Sequence, residues 1–231
     1  QLRANLLRSI SHDLRTPLTS ISGNAGILLS NGDTLKQEKK QQLYSDIYDD
    51  ALWLINLVEN LLAVTKIEEG SMHLKMSAEL MDEVITEALH HVNKKKDEHT
   101  IKVVQTEDFI LAKMDARLIV QVIINIVDNA IKYTPAGSTI TISTTKKDKQ
   151  VIVDIADDGP GIPDQAKERI FDMFYIAPNE VVDSHRSLGL GLALCKSIIN
   201  AHGGEISVLD NKPKGTVFRF TLPAEEVNLY E

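Results

Sequence analysis

Apolar residues in the opening stretch of the chain recur at intervals of three and four. Leu7, Ile10, Leu14, Pro17, Ile21 and Leu28 make one stripe, and Leu43, Ile47, Leu54, Leu57, Leu61 and Val64 make another. That spacing belongs to helices that bury one face against a neighbour. Asn31-Gly32-Asp33 interrupts the pattern between the stripes and Gly70 ends it, so residues 1–69 are expected to form an antiparallel all-α helical hairpin. Two helices alone enclose too little core to be stable. The hairpin is therefore expected to close into a four-helix bundle as a homodimer.

Beyond about residue 72 the texture changes. Residues 70–76 read as a linker and a first strand near Leu74–Met76, and 77–231 as a second domain. In that domain the pattern predicts a helix from Glu79 to about His91, strands at Ile101–Gln105 and Phe109–Lys113, and a helix from Asp115 to about Tyr133. Strands at Thr139–Thr144 and Val151–Ala156 alternate with period two around a polar turn, Lys146-Lys147-Asp148-Lys149. A short helix over Gln165–Phe171 precedes a polar stretch from Tyr175 to Leu188. A helix from Gly189 to about His202 and strands near Glu205–Leu209 and Thr216–Leu222 complete the chain. Strands cluster without strict βαβ alternation, which predicts an α/β sandwich with a mixed sheet on one layer and helices on the other.

Composition narrows the function. The 231 residues are 43% hydrophobic, as in an ordinary globular protein. No run reaches the roughly 18 consecutive apolar residues of a membrane span, so no direct membrane contact is expected. The net charge of -8 and the lack of a basic stripe mixed with aromatics argue against nucleic acid as a partner. The lone cysteine, Cys195, lies among Leu192, Ala193, Leu194 and Ile198 and reads as a buried structural thiol. The chain opens at Gln1 in mid-pattern, so it is expected to be a piece of something longer.

The first segment with candidate chemistry is Ser11-His12-Asp13-Leu14-Arg15-Thr16-Pro17-Leu18. His12 is two residues from both Ile10 and Leu14, about 200° around a helix from each, so it points away from the apolar seam. An exposed imidazole is a competent nucleophile near neutral pH. Asp13 beside it can fix the tautomer, and Thr16 one turn along can position a water. Pro17 removes one backbone bond and predicts a kink beside His12.

The second set lies in the α/β domain. Asn125, Asn129 and Lys132 stand at i, i+4 and i+7 on one helix face, with Tyr133 alongside. Two carboxamides facing a cavity can hold Mg²⁺ through oxygen, a lysine supplies charge to phosphates, and a tyrosine offers a ring to a base. Asp157-Asp158-Gly159-Pro160-Gly161 follows directly from an alternating strand. Gly159 and Gly161 permit a tight turn with close ligand approach, and a carboxylate at Asp157 can accept the exocyclic amine of adenine. Leu188-Gly189-Leu190-Gly191-Leu192 opens the next helix, whose free amides would meet phosphates. Gly203-Gly204 and Gly215-Thr216 read equally as a helix stop and a hairpin feature.

The first segment resembles the H-box of sensor histidine kinases. The later segments, in their order, resemble the N, G1, F and G2 boxes of the ATP-binding domains shared by histidine kinases, Hsp90-type chaperones, type II topoisomerases and mismatch-repair ATPases. The run from Leu6 to Leu29 looks most like the potassium-responsive sensor kinases of bacteria. The resemblance implies a Bergerat-type ATP-binding fold after the hairpin, with ATP and Mg²⁺ as cofactors. It implies autophosphorylation of His12 with Asp13 as acid/base partner, transfer to an aspartate of a response-regulator receiver domain, and dephosphorylation of that partner through Thr16. Asn129 would then be the principal Mg²⁺ ligand with Asn125 in support, Lys132 would contact phosphate, Tyr133 would line the site and Asp157 would read adenine. Phe171 and Phe174 would anchor a lid. Two positions depart from the pattern: Ser187 stands where a glycine is usual, and Ile176 follows Tyr175 where an arginine is usual. Arg186 is expected to replace that arginine. Asn125 occupies the place of the glutamate that activates water in the ATPase relatives, which disfavours direct hydrolysis. A kinase-like dimer without turnover, serving as scaffold or phosphatase, is the alternative.

Overall fold

A computed structural model describes residues 2–70, 73–92, 98–107, 109–173, 175 and 189–226, the side chains of 2–13 and of 68 excepted. Helices α1 (Leu2–Asn31) and α2 (Gln37–Glu68) form the expected hairpin. The Asn31 carbonyl ends α1 by accepting the N–H groups of Thr34 and Leu35, at 3.0 and 3.2 Å. Pro17 lies within α1 and is buried, and Leu14, Ile21 and Leu28 are half-buried on the same face. On α2 the seam falls at Leu43 and Leu57, two whole heptads apart.

A second apolar stripe on α2 is left uncovered. Tyr44, Tyr48, Leu52, Ile55, Val58 and Leu62 are 42–64% exposed. At 100° per residue they fall within a sector about 120° wide, roughly 140° round the helix from the seam. Among the described residues of the first unit no further element covers them.

The first compact unit holds Gln1–Leu62 and the second begins at Ala63. The last turns of α2 therefore belong to the second unit: Val64 is fully buried in its core, and Ala63 and Ile67 pack against it.

In the second unit, strands β2 (Thr100–Gln105), β4 (Thr139–Lys147), β5 (Gln150–Asp157), β6 (Ile206–Asp210) and β7 (Thr216–Pro223) form a sheet of order β2-β4-β5-β7-β6. The β2–β4 pair is parallel and the other pairs antiparallel. The mixed sheet was expected. Ile140, Ile142, Val151, Val153, Ile155, Phe218, Phe220 and Leu222 take alternate positions and are buried, as a sheet covered on one face requires. Their cover is supplied by α3 (Met81–His91), α4 (Ala116–Tyr133) and α6 (Gly191–Ala201). Helix α4 is the middle one and packs against both others, burying Ile119, Val122, Ile123, Ile126, Val127, Ala130 and Ile131. On the outer face Arg219 grips Asp154 through two 2.7 Å bonds.

Several boundaries differ from the pattern. The first strand is β1 (Ser77–Leu80), not Leu74–Met76. The Lys75 N–H donates to the Asp115 carboxylate at 3.0 Å, and pairing with β3 (Leu111–Met114) begins only at Ser77↔Met114. Because Glu79 and Leu80 are used in that ladder, α3 starts at Met81, whose N–H donates to the Ile110 carbonyl at 3.0 Å. Phe109, expected in the strand, is 74% exposed before it. Helix α5 is only Asp164–Lys167, with turns after it instead of a helix to Phe171. Strand β4 runs on to Lys147, paired with Gln150, and leaves a two-residue turn in which Asp148 takes a positive φ of 53°.

Phe220 is fully buried at the centre of this core. Phe220→Ala is expected to destabilise the second unit by about 3–5 kcal/mol. Urea unfolding followed by circular dichroism measures this. A loss below about 1 kcal/mol would contradict the packing.

Candidate functional site

Helix α4 has two faces with different duties. Its apolar side is consumed by the sheet and by α3 and α6, so its polar residues collect on what remains. Asn125 is half-buried there: its Oδ1 accepts the Gln121 Nε2 at 3.1 Å, and its Nδ2 donates weakly to the Gly191 carbonyl at 3.4 Å. A Cβ at position 191 would stand 3.8 Å from the Asn125 carboxamide carbon, an ordinary van der Waals contact. One turn on, Asn129 is half-buried and its side chain has no hydrogen-bond partner among the described residues. Lys132 and Tyr133 are exposed at the helix end, with the Lys132 Nζ 4.9 Å from the Tyr133 ring centre. Asn125 is thus committed to the start of α6, and Asn129 is the carboxamide whose oxygen is uncommitted.

Asp157 is the last residue of β5 and is 6% exposed. Its Oδ1 accepts the N–H groups of Gly159, at 2.9 Å, and Thr216, at 3.2 Å. Its Oδ2 has no partner among the described residues. Burial pushes the carboxyl above the usual aspartate value; the two amides oppose that shift and the neighbouring Asp158 adds to it. Asp158 turns away, accepting the Thr139 N–H at 3.0 Å.

The glycines around Asp157 are steric requirements. A Cβ on Gly159 would lie 2.6 Å from the Thr134 methyl and 2.9 Å from the Asp157 Oδ1. Gly161 takes a φ of 83°, where side chains are disfavoured. Gly189 turns the chain with a φ of 61° into Leu190, which is buried, and Gly191 opens α6. The first amides of α6 are therefore presented beside Asn125, as the free N-terminus of a helix does for an anion.

Phe171 stands edge-on to Phe218 of β7, with ring centres 6.3 Å apart. It is anchored in the core of the second unit. Phe174, Ile176, Arg186 and Ser187 lie outside the described residues, as do the side chains of His12 and Asp13; the backbone at 12 and 13 is helical, within α1. Thr16 is exposed on the same helix. Cys195 is buried, donates to the Val122 carbonyl at 3.8 Å, and burial pushes its thiol up to about 12. That matches the structural thiol expected of it.

Two contributors carry too weak a sequence signal to be found beforehand. Thr216 follows a glycine that reads as a hairpin feature, yet its N–H is one of the two donors holding Asp157. Asp115, the residue before α4, is buried. Burial works against its charge, but the Lys75 amide and Arg117 hold its carboxyl below the usual aspartate value. Its N–H donates to the Nε2 of buried His202, at 3.0 Å, and the Nδ1–H of His202 donates to the Ile198 carbonyl at 2.7 Å. One imidazole thereby ties the end of α6 to the start of α4.

No cluster of three or more His, Cys, Asp or Glu side chains fit for a metal occurs among the described residues. The donor set that is present on α4, one uncommitted carboxamide oxygen at Asn129 a turn from the Asn125 that meets the start of α6, suits a hard cation that takes most of its ligands from phosphates and water. Mg²⁺ brought in with a nucleotide fits that description.

Residues 2–70 match the family described as "His Kinase A (phospho-acceptor) domain", and residues 114–226 match "Histidine kinase-, DNA gyrase B-, and HSP90-like ATPase". The "Sensor protein KdpD" of Clostridium acetobutylicum is 48% identical over 97% of this chain, which spans about a quarter, 25%, of that relative's length. The catalytic domain of the histidine kinase ThkA is 30% identical over 64% of this chain and 97% of its own, with a TM-score of 0.57. ThkA solved in complex with the response regulator protein TrrA is 26% identical over 96% of this chain and 61% of that one, with a TM-score of 0.72. With the helical hairpin and the ATP-binding α/β domain both accounted for, the chain belongs to the histidine kinases, as the phosphoacceptor-plus-ATPase catalytic core of a two-component sensor kinase.

Proposed function

We propose that this core is an ATP-dependent autokinase that phosphorylates His12, passes the phosphoryl group to an aspartate of a receiver domain, and dephosphorylates the same partner. The observation that carries the reading is a pairing within one chain. A histidine stands in an Asp- and Thr-flanked segment of the phosphoacceptor hairpin. Separately, in the ATPase-like domain a buried carboxylate, Asp157, keeps one oxygen unspent, and Asn129 on α4 keeps its carboxamide uncommitted.

Each side chain then has a task. The Asp157 Oδ2 accepts a hydrogen from the exocyclic amine of adenine, while the Gly159 and Thr216 amides hold Oδ1. Tyr133 lines the nucleotide and Lys132 meets its phosphates. Asn129, supported by Asn125, holds Mg²⁺, which when bound neutralises phosphate charge. The α6 N-terminus at Gly189–Gly191 adds amide donors. Phe171 and Phe174 anchor the lid, and Arg186 supplies the charge that Ile176 does not. The imidazole nitrogen of His12 attacks the γ-phosphorus, the bond to the β–γ bridging oxygen breaks, and ADP leaves. Asp13 receives the proton that the phosphorylated imidazole gives up. Asn125 cannot take a proton from water, so the γ-phosphoryl is directed to the histidine. Thr16, exposed one turn away, positions the water that hydrolyses the receiver's phosphoaspartate.

The functional unit is a homodimer. The uncovered stripe Tyr44–Leu62 supports it, because two such stripes closing on each other complete a four-helix bundle. The complex of ThkA with TrrA supports a receiver domain as the acceptor. The 48% identity to KdpD supports a place in the potassium-responsive subfamily. Residues 1–69 then serve as phosphoacceptor and dimerisation domain and 77–231 as catalytic domain, joined through 70–76. The whole forms the cytoplasmic part of a larger sensor; none of its described helices is long and apolar enough to cross a membrane.

Incubation with γ-labelled ATP and Mg²⁺ is expected to place acid-labile, base-stable label on the wild type and none on His12→Gln. Label retained by His12→Gln would overturn the assignment. No label despite nucleotide binding would favour the scaffold or phosphatase alternative.

The adenine contact gives a pH dependence. A proton on the uncommitted Oδ2 would make it a donor facing the amine, so the contact is strongest when Asp157 is ionised, and its carboxyl titrates above the usual aspartate value of 3.8. ATP affinity is therefore expected to fall as pH drops, starting at a higher pH than an ordinary aspartate would set. Asp157→Asn is expected to weaken ATP binding by roughly 10- to 100-fold and to remove this pH dependence. Calorimetric titration across pH checks both, and an unchanged acid limb in Asp157→Asn would contradict the role.

A further inference from the structure

The turn between β6 and β7, residues 211–215, together with the strand ends Asp210 and Thr216, grips the end of β5 more firmly than a hairpin turn needs to. Asp157 pairs with Ile140 on the β4 side, but on the β7 side the ladder stops one residue earlier, at Ala156↔Val217. Beyond that point the turn supplies substitutes. The Thr216 N–H donates to the Asp157 carboxylate, and the Asn211 Nδ2 donates to the Asp157 backbone carbonyl at 2.7 Å. Gly215, with a φ of 114°, passes so close to that carbonyl that any side chain there would collide with it.

Asn211 is itself fixed. Its Oδ1 accepts the Lys212 N–H at 2.9 Å, and its own N–H donates to the Gly215 carbonyl at 2.9 Å. The preceding residue, Asp210, accepts the Lys167 Nζ at 2.7 Å, and that ammonium also reaches Asp164 at 2.6 Å. The turn is thus tied on one side to the strand end that carries Asp157 and on the other to α5.

We propose that Asn211 is a positioning residue for base recognition. Its carboxamide fixes the backbone of Asp157 so that the uncommitted Oδ2 stands where an exocyclic amine must be met, and it thereby sets the preference for adenine over a purine with a carbonyl at that position. The inference rests on the reading of Asp157 as the adenine acceptor. Asn211 touches no nucleotide atom in this scheme; it acts through the strand end. A free carboxylate accepts an amine hydrogen but repels a carbonyl oxygen, so its placement weighs on amino and oxo purines in opposite directions.

The test uses the whole chain and two nucleotides, ATP and inosine triphosphate, which carries a carbonyl in place of the adenine amine. Asn211→Asp is nearly isosteric and keeps the acceptor for Lys212, but it cannot donate to the Asp157 carbonyl. Asn211→Ala removes both groups without adding charge. Competition against a fluorescent nucleotide gives the affinities, with melting temperature as the control for folding and Asp157→Asn measured in parallel. Both Asn211 variants are expected to bind ATP about tenfold more weakly, as for loss of one well-formed hydrogen bond. Inosine triphosphate binding should hold within about twofold, so the ratio between the nucleotides collapses, while kcat at saturating ATP changes little. Equal weakening of both nucleotides, or an unchanged ratio while Asp157→Asn abolishes it, would overturn the inference. An unchanged ratio in Asp157→Asn as well would overturn the reading of Asp157 itself, and the inference with it.

Discussion

A carboxylate buried at the end of a sheet strand has to be held by something, and at Asp157 the holders are backbone amides from two different loops. Gly159 comes from the chain just beyond β5 and Thr216 from the start of β7, and both donate to the same oxygen. A buried charge with fewer donors would be costly, and one with both oxygens saturated would have no capacity for a ligand. The arrangement lies between these limits. Nearby constraints follow from it: Gly159 must lack a side chain to approach Thr134 and the carboxylate, and Gly215 must lack one to pass the Asp157 carbonyl.

Helix α4 imposes the second constraint. Because the sheet, α3 and α6 consume its apolar side, Asn125 and Asn129 have only the remaining sector in which to lie. The same packing brings Gly191 against Asn125, so the N-terminus of α6 meets the Asn125 carboxamide. His202 fixes the far ends of the two helices through one donor and one acceptor nitrogen. Fold and site are therefore linked through α4, where moving its buried face would move its polar one.

Much of this was legible in the chain, for reasons that are local. The period-two run in β5, the helical spacing of α4 and the glycines after Asp157 each act within a few residues, so pattern alone places them. What escaped depends on partners distant in sequence. Leu74–Met76 has the texture of a strand, but the Lys75 amide is claimed by Asp115, forty positions away, and pairing with β3 moves the strand to Ser77. Asn211 has an unremarkable place in a polar turn, and only the return of β7 brings it to Asp157. His202 looks like a helix end until Asp115 is seen to occupy its ring nitrogen. The resemblance of the ordered motifs to histidine kinases supplied what periodicity could not, a reason for a histidine and a nucleotide pocket to share a chain.

The central claim is that the γ-phosphoryl of ATP goes to His12 and not to water. Phosphorus NMR of the protein with ATP and Mg²⁺ follows both fates in one sample. The account predicts a phosphoramidate resonance growing on the protein in step with ADP, with little inorganic phosphate, and its loss in His12→Gln together with the ATP consumption that feeds it. Steady release of inorganic phosphate at the same rate in both proteins, with no phosphoramidate signal in either, would contradict it.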